Sequence, residues 1–257
     1  MAEEKNRDVS SDKNRENKPL IVLTNDDGIQ APGLHFLLDT VRDLGDIIVI
    51  APESAQSGQS SAITVNKALR IRKEDEREGC TLYSINGTPV DCVKLGMYAI
   101  VPRKPDLLLA GINHGSNSGT SVIYSGTMGA VIEGCFLGIP SVGFSLLQTS
   151  WSADFSESRK IVREVSEKVL NEGLEEGICL NINIPANCKP KGLKWCKASQ
   201  GYWTDEYAEY IDPNGRPFYF MTGRFVYRDP EDPNTDNYWL QRGWATGVRV
   251  KTDMSAD

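Results

Sequence analysis

Residues 20–33 read LIVLTNDDGIQAPG, and this stretch predicts the architecture of the chain. Its first four residues are apolar and free of charge, which is typical of a strand buried on both faces of a parallel sheet. Asp26 and Asp27 follow almost at once, and Pro32 suits the first position of a helix because its missing N–H needs no partner there. The pattern therefore places an acidic pair at the carboxyl end of the first strand, where open α/β sheets bind ligands.

The adjacent carboxylates of Asp26 and Asp27 allow two interpretations. They repel each other, and burial raises the pKa of a carboxyl group, so a divalent cation would stabilise both. Alternatively, they cap the next helix or form a turn with Gly28. The motif alone favours the turn, and only the rest of the chain favours the cation.

Composition restricts the classes of function. A chain of 257 residues with 40% hydrophobic and 25% charged residues is typical of one soluble α/β domain, with or without an appendage. A net charge of −7 argues against binding to a nucleic-acid polymer, but not against a small anionic substrate held by a metal. We find no signal-peptide pattern and no apolar run that could span a membrane, so we expect a cytoplasmic protein.

The metal-binding residue types point to oxygen ligands. The six cysteines form no Cys-x-x-Cys pair, and we interpret them as reduced thiols, mostly in the core. His35 and His114 are the only histidines, so a conventional zinc site is not expected. Magnesium, manganese or calcium would suit the remaining ligands.

Alternating strands and helices predict a doubly wound, mostly parallel, Rossmann-like sheet with a C-terminal β-hairpin extension. The predicted strands are residues 20–23, 46–52, 105–113, 139–144 and 178–184, and the predicted helices are residues 32–44, 88–98, a segment entered from Tyr124, and 152–171. Residues 68–73 and 81–85 predict a short hairpin. We divide the chain into a disordered extension (1–18), an α/β core (19–190) and a C-terminal hairpin with a returning helix and strand (191–257).

The C-terminal hairpin is rich in aromatic residues. Residues 207–211 and 217–221 flank the turn sequence Asp212-Pro213-Asn214-Gly215. An isolated two-stranded hairpin buries too little surface to be stable in water. We therefore expect it to pack on the main domain or on another subunit. Because the core sheet is complete without it, we predict a homodimer or homotetramer.

Small polar residues follow three of the predicted strands. Asp26 and Asp27 follow the first, Ser57 lies in the loop after the second, and Asn113 ends the third. Together they would form an oxygen-only shell suited to magnesium, although Ser57 or Asn113 taken singly favours ordinary loop hydrogen bonding.

A second polar cluster, Ser125-Gly126-Thr127, lies where a loop becomes a helix. Free backbone N–H groups and the positive end of the helix dipole make such a position an anion site. The alternative is a plain helix cap, and this signal alone is weak.

Five motifs carry a resemblance to a known family: VLTNDDGIQAPG, APESAQSG, INGTPVDCVKLG, AGINHGSN and YSGTMGAVIEG, in this order. They resemble the survival protein E family, the SurE 5′/3′-nucleotidases, from about residue 19 to the C-terminus. The resemblance implies a Mg²⁺- or Mn²⁺-dependent release of phosphate from nucleoside monophosphates, and exchange of C-terminal elements between subunits.

The resemblance also implies site residues. These are metal ligands at Asp26, Asp27, Ser57 and Asn113, with phosphate contacts at Asn113, Ser125, Gly126 and Thr127. Two segments depart from the family pattern: residues 246–250 replace a run like S-V-T-P-L, although Thr235-Asp236 matches, and the charged N-terminal residues lie outside the pattern.

We expect a mechanism in which the metal activates a water molecule and Asp26 or Asp27 accepts its proton. The helix N–H groups would stabilise charge on the phosphoryl oxygens. His114 could protonate the leaving group, but a loop-spacer role is favoured.

The sequence leaves three other functions to compare with this one. Asp26 could be a covalent nucleophile, although adjacent aspartates suit that chemistry less well. The chain could be a non-catalytic nucleotide sensor. A dinucleotide-binding oxidoreductase is disfavoured because Asp-Asp-Gly stands where G-x-G-x-x-G would be needed.

Overall fold

The computed structural model describes residues 18–255, so the predicted disordered extension lies outside the described residues apart from Lys18. The strands are β1 (Leu20–Thr24), β2 (Asp46–Pro52), β3 (Ile71–Arg77), β4 (Cys80–Ile85), β5 (Leu107–His114), β6 (Ser141–Leu146), β7 (Ile178–Ile184), β8 (Leu193–Cys196), β9 (Gly201–Thr204), β10 (Tyr207–Ile211), β11 (Pro217–Met221), β12 (Arg224–Tyr227) and β13 (Ala245–Lys251). The α-helices are α1 (Pro32–Val41), α2 (Pro89–Ala99), α3 (Gly126–Phe136), α4 (Arg159–Glu172) and α5 (Asp236–Leu240).

A nine-stranded sheet forms the centre of the molecule, in the order β3-β4-β2-β1-β5-β6-β7-β13-β8. The run from β4 to β7 is parallel throughout, whereas β3 and β13 pair antiparallel with β4 and β7. The doubly wound, mostly parallel fold is thus confirmed. Because β1 lies between β2 and β5, the strand order reverses there, which is the position where open α/β sheets bind ligands.

Helices cover both faces of this sheet. Ile21 and Leu23 of β1 face a cluster that includes residues of α1 and α4. Val22 points the other way, into a cluster that includes residues of α2 and α3. Both faces of β1 are therefore buried, which explains its uninterrupted apolar sequence.

In the C-terminal part of the chain, two strands join this sheet and four form separate two-stranded elements. Strand β13 pairs with β7 on one side and with β8 on the other. Between β8 and β13, the chain forms the β9–β12 ribbon and the β10–β11 hairpin. We call residues 201–227 the arm.

Two predicted helices are shorter than expected. Helix α1 ends at Val41 and not at residue 44, and the chain leaves it in a turn in which the Leu44 N–H donates to the Val41 carbonyl at 2.9 Å. Helix α4 begins at Arg159 and not at residue 152. Within residues 152–158, side chains such as Asp154 bond to nearby backbone N–H groups, which competes with helix formation.

Two other local predictions are confirmed, the cap of α2 and the bounds of the C-terminal hairpin. Thr88 caps α2 in a reciprocal capping box with Asp91, and β10 and β11 have the predicted bounds. All six cysteines lie in the described range as free thiols, and Cys92, Cys135 and Cys179 are buried, whereas Cys188 is exposed. Within residues 18–255, no helix is long and apolar enough to cross a membrane.

Candidate active site

The acidic pair lies in a tight turn at the end of β1. The Asn25 side chain accepts a hydrogen bond from the Gly28 N–H and donates one to the Gly28 carbonyl, at 3.2 and 3.0 Å. Gly28 has a φ of +101°, which favours glycine. The turn holds Asp26 and Asp27 buried, with 3% and 9% of their surfaces exposed.

Asp26 is in contact with the beginning of α3. The Thr127 hydroxyl donates to Asp26 Oδ1 at 2.5 Å. A Cβ at Gly126 would stand 2.9 Å from the Asp26 Cβ, so only glycine allows the helix to approach this closely. The predicted cation ligand and the predicted phosphate site are therefore neighbours.

The electrostatics of Asp26 reflect its surroundings. Burial raises the pKa of Asp26 to about 6, the Thr127 hydroxyl opposes this, and the Asp27 carboxylate adds to the rise. A negative charge on Asp26 is therefore costly in the absence of a cation. This cost agrees with the interpretation in which a divalent cation stabilises the two carboxylates.

Asp27 is held by His114. The His114 backbone N–H donates to Asp27 Oδ2 at 3.1 Å, and Nδ1 of the ring lies 2.9 Å from the same oxygen. Nε2 is buried with no hydrogen-bond partner in the part of the chain that the structure describes. His114 is thus more than a loop spacer: its ring orients an acidic residue.

Ser57 is brought to this edge by the loop after β2. The N–H of the preceding residue, Gln56, donates to the Asp26 carbonyl at 2.7 Å. Ser57 itself is exposed, and its hydroxyl makes no hydrogen bond to any described residue. Asp91 fixes the far end of the loop by accepting from Thr64 N–H and Oγ1.

Asn113 reaches the same edge from β5. The pairing of β5 with β6 shifts between Ala110 and Asn113, which marks a bulge of the kind that redirects side chains near active sites. The Asn113 amide nitrogen donates to the Gly115 carbonyl at 2.9 Å. This bond leaves its carbonyl oxygen available as a ligand.

These groups fit a hard cation. Residues 18–255 contain no cluster of three His, Cys, Asp or Glu side chains that could hold a metal ion. The chain instead offers two buried carboxylates, an amide oxygen and a hydroxyl. Such a mixed oxygen set, completed by water, suits Mg²⁺ or Mn²⁺ and does not suit zinc.

The start of α3 fits an anion. Ser125 is the N-cap, and its hydroxyl oxygen accepts from the Met128 N–H at 3.0 Å. The N–H groups of Gly126 and Thr127 precede the first intrahelical bond, at the positive end of the dipole. Because the Thr127 hydroxyl bonds to Asp26, backbone groups and Ser125 are the available phosphate donors.

Comparisons with known proteins identify the family of the chain. The family model described as survival protein SurE matches residues 21–205. The chain belongs to the SurE family. The predicted resemblance is therefore confirmed.

Individual SurE proteins match most of the chain. The 5′-nucleotidase SurE of Christiangramia forsetii is 45% identical over 243 residues, which cover 93% of each protein. The 5′-nucleotidase SurE of Phocaeicola vulgatus is 44% identical over 242 residues, which cover 94% of each. The crystal structure of the SurE protein from Aquifex aeolicus is 35% identical with a TM-score of 0.79, covering 92% of this chain and 95% of that one.

One residue near the site in this SurE-family chain was not predicted to have a role there. Asp236, at the start of α5, is fully buried and accepts hydrogen bonds from the Gly119 N–H at 2.7 Å and the Ser199 N–H at 2.9 Å. It joins the loop after β5 to the base of the arm. Its sequence context, Thr235-Asp236, matched the family pattern but gave no local sign of this contact.

Proposed function

We propose that this SurE-family chain is a metal-dependent phosphomonoesterase that hydrolyses nucleoside monophosphates to a nucleoside and phosphate. The observation that supports the proposal is the contact between Asp26 and the first residues of α3, because it makes the predicted cation ligand a neighbour of the predicted phosphate site. The relatives named 5′-nucleotidase SurE support the same substrate class.

Asp26, Asp27, Ser57 and Asn113 would hold the cation. When bound, a divalent cation supplies Lewis acidity and lowers the pKa of water that it contacts. The contacts around the two carboxylates support this assignment, because His114 orients Asp27 and Thr127 orients Asp26. Partners of this kind fix the direction of metal ligands.

The residues of the chain itself would accept the proton and bind the phosphate. One carboxylate of the Asp26–Asp27 pair accepts the proton of the attacking water. The N–H groups of Gly126 and Thr127, with the Ser125 hydroxyl and the Asn113 side chain, bind phosphoryl oxygens and stabilise their developing charge. His114 does not protonate the leaving group, since Nδ1 contacts Asp27 and Nε2 is buried.

A covalent route through Asp26 has less support. Its Oδ1 is occupied by the Thr127 hydroxyl, and Gly126 closes over its Cβ. These contacts hinder the in-line approach to phosphorus that a nucleophilic carboxylate needs.

Phosphate release from adenosine 5′-monophosphate tests the proposal. We expect turnover of the purified protein with Mg²⁺ or Mn²⁺ and its loss in excess EDTA, restored by adding the metal back. Binding of the nucleotide without phosphate release would identify a sensor instead. Full turnover in excess EDTA would reject the metal site.

Assembly through the arm belongs to the same proposal. Residues 19–190 carry the site, and residues 191–257 support a homodimer or homotetramer. Five arm residues are good contact candidates because they are aromatic or apolar and exposed: Tyr207, Phe218, Tyr219, Phe220 and Met221. A groove of about 1280 Å³ between α4 and the strands β13 and β8 contains none of the predicted site residues and is lined by both apolar and charged side chains. The cytoplasmic location stays a prediction from the sequence.

A further inference from the structure

We propose that Trp151 is the platform on which the nucleobase of the substrate stacks, an inference that rests on the proposed nucleotidase function. Trp151 lies in the loop between β6 and α4, and 57% of its surface is exposed. Its ring stacks on the His114 ring, with centroids 5.2 Å apart and planes 13° from parallel. An aromatic face is therefore open to solvent beside the acidic pair.

A short series of contacts connects this indole to the reacting end of the site. Trp151 stacks on His114, and His114 Nδ1 lies 2.9 Å from Asp27 Oδ2. The indole is thus separated from Asp27 by a single imidazole ring. A nucleoside monophosphate carries its base one sugar away from its phosphate, so a phosphate bound at the start of α3, next to the Asp26–Asp27 pair, puts the base in this neighbourhood.

The indole is held in place before any ligand arrives. His114 is nearly buried and also meets Phe155 edge-on, with ring centroids 5.1 Å apart at 89°. The loop itself is closed by bonds from the Ser152 N–H to the Ser150 hydroxyl and from the Ala153 N–H to the Ser150 carbonyl. A side chain that is fixed on one face and open on the other loses little entropy when a ring stacks on it.

Stacking also predicts the breadth of the substrate range. Every nucleobase has a π face, so an aromatic platform tolerates all of them and discriminates mainly against esters with no base. We therefore infer a broad preference for nucleoside monophosphates over phosphorylated sugars.

Tyr124 is the competing platform. It is 60% exposed and directly precedes Ser125. Its ring makes no aromatic contact with another described residue, so it is not braced as Trp151 is. Alanine variants of Trp151 and Tyr124, measured in parallel, distinguish the two candidate platforms.

The kinetic test compares adenosine 5′-monophosphate with ribose 5-phosphate, the same ester without a base. Trp151→Ala should raise KM for the nucleotide between about fivefold and a hundredfold, the range for one base–aromatic stack, and change kcat little. KM for ribose 5-phosphate should change less than about twofold. Trp151→Phe, which keeps a ring on His114, should recover most of the nucleotide affinity.

Three kinetic outcomes would overturn the proposal. Equal losses on both esters would mean that Trp151 only supports His114 and Asp27. Unchanged KM for both would mean that the base does not touch it. A nucleotide-selective loss in Tyr124→Ala, and not in Trp151→Ala, would assign the platform to Tyr124.

A binding measurement keeps the test independent of catalysis. Adenosine, which has no phosphate, should quench the fluorescence of the intact protein and of Trp195→Phe, a control at an indole that is 50% exposed outside the site. The quench should disappear in Trp151→Phe. If neither ester is hydrolysed but this pattern holds, the base site stands and the nucleotidase function fails. If Trp151→Phe retains the quench, or adenosine gives none, the base site is wrong.

Discussion

The edge of the sheet at β1 buries ionisable side chains, whereas the arm exposes aromatic side chains to solvent. Asp26 is 3% exposed although it can carry charge, whereas Phe220 is 61% exposed although it is apolar. A charge loses hydration when it is buried, and an aromatic ring in water forgoes the hydrophobic stabilisation of burial. In the proposed function, a cation and a phosphate would complete the edge, and a second copy of the chain would cover the arm.

The comparison teaches how each region depends on its neighbours. The acidic edge is held by long-range contacts within one chain, from α3, from β5 and from the loop after β2. The aromatic contacts of Tyr210, Phe218 and Phe220 all lie within the hairpin. Changes at the edge should therefore affect chemistry, and changes in the arm should affect association.

The largest expected effect is on activity at the edge. Asp26→Asn and Asp27→Asn should each lower kcat/KM for adenosine 5′-monophosphate by about a thousandfold or more, because each removes a charged cation ligand. Circular dichroism should show an unchanged fold, and sedimentation an unchanged oligomer. Turnover within tenfold of the parent in either variant would contradict the assigned ligands.

The second largest expected effect is on self-association through the arm. The double variant Phe218→Ser and Phe220→Ser should weaken self-association by about a hundredfold or more, since two aromatic anchors are lost. Sedimentation velocity at micromolar concentration measures the shift toward monomer. Tyr98→Ser is a matched control, because Tyr98 is an 89% exposed aromatic on α2, outside the arm. Sedimentation of the double variant at the parent rate would contradict the role of the arm.

The smallest expected effect is on stability, and it concerns the charge on Asp26 in metal-free protein. Its folded-state pKa of about 6 exceeds the ordinary 3.8, so the folded state holds the proton more tightly. This contribution is present below about pH 4 and is lost as the pH rises through about 6. At pH 8, Asp26→Asn should therefore unfold with a free energy higher by between about 1 and 3 kcal/mol.

Urea unfolding of both proteins in EDTA, at pH 4 and at pH 8, measures this difference. The gap between Asp26→Asn and the parent should open between the two pH values. Added Mg²⁺ should narrow it at pH 8 by stabilising the parent. A gap that is the same at both pH values would mean that burial does not perturb Asp26.

The fold could be predicted where local sequence determines local structure. The apolar run of β1 and the Asp212–Gly215 turn specify their elements directly, and the hairpin strands β10 and β11 have the predicted bounds. The placement of β13 between β7 and β8 could not be predicted, because no local pattern reports which strands pair across the chain.

In the candidate site, too, the residue types could be predicted from the sequence, whereas their long-range contacts could not. Its residue types could be grouped because parallel strands bring their carboxyl ends to one edge. The partners of those residues could not: the contact of His114 with Asp27 joins residues 87 positions apart, and that of Thr127 with Asp26 joins residues 101 apart. The ligand roles themselves stay predictions until the variants are measured.

The position of β13 has a consequence for the order in which the chain can fold during synthesis. Strand β8 joins the sheet only through β13, which is made about fifty residues later, and the Gly119 loop meets Asp236 across 117 residues. Contacts of such long range form slowly and late. A nascent chain that has already completed the strands from β1 to β7 must still wait for its last strand before the loop beyond Asn113 is secured.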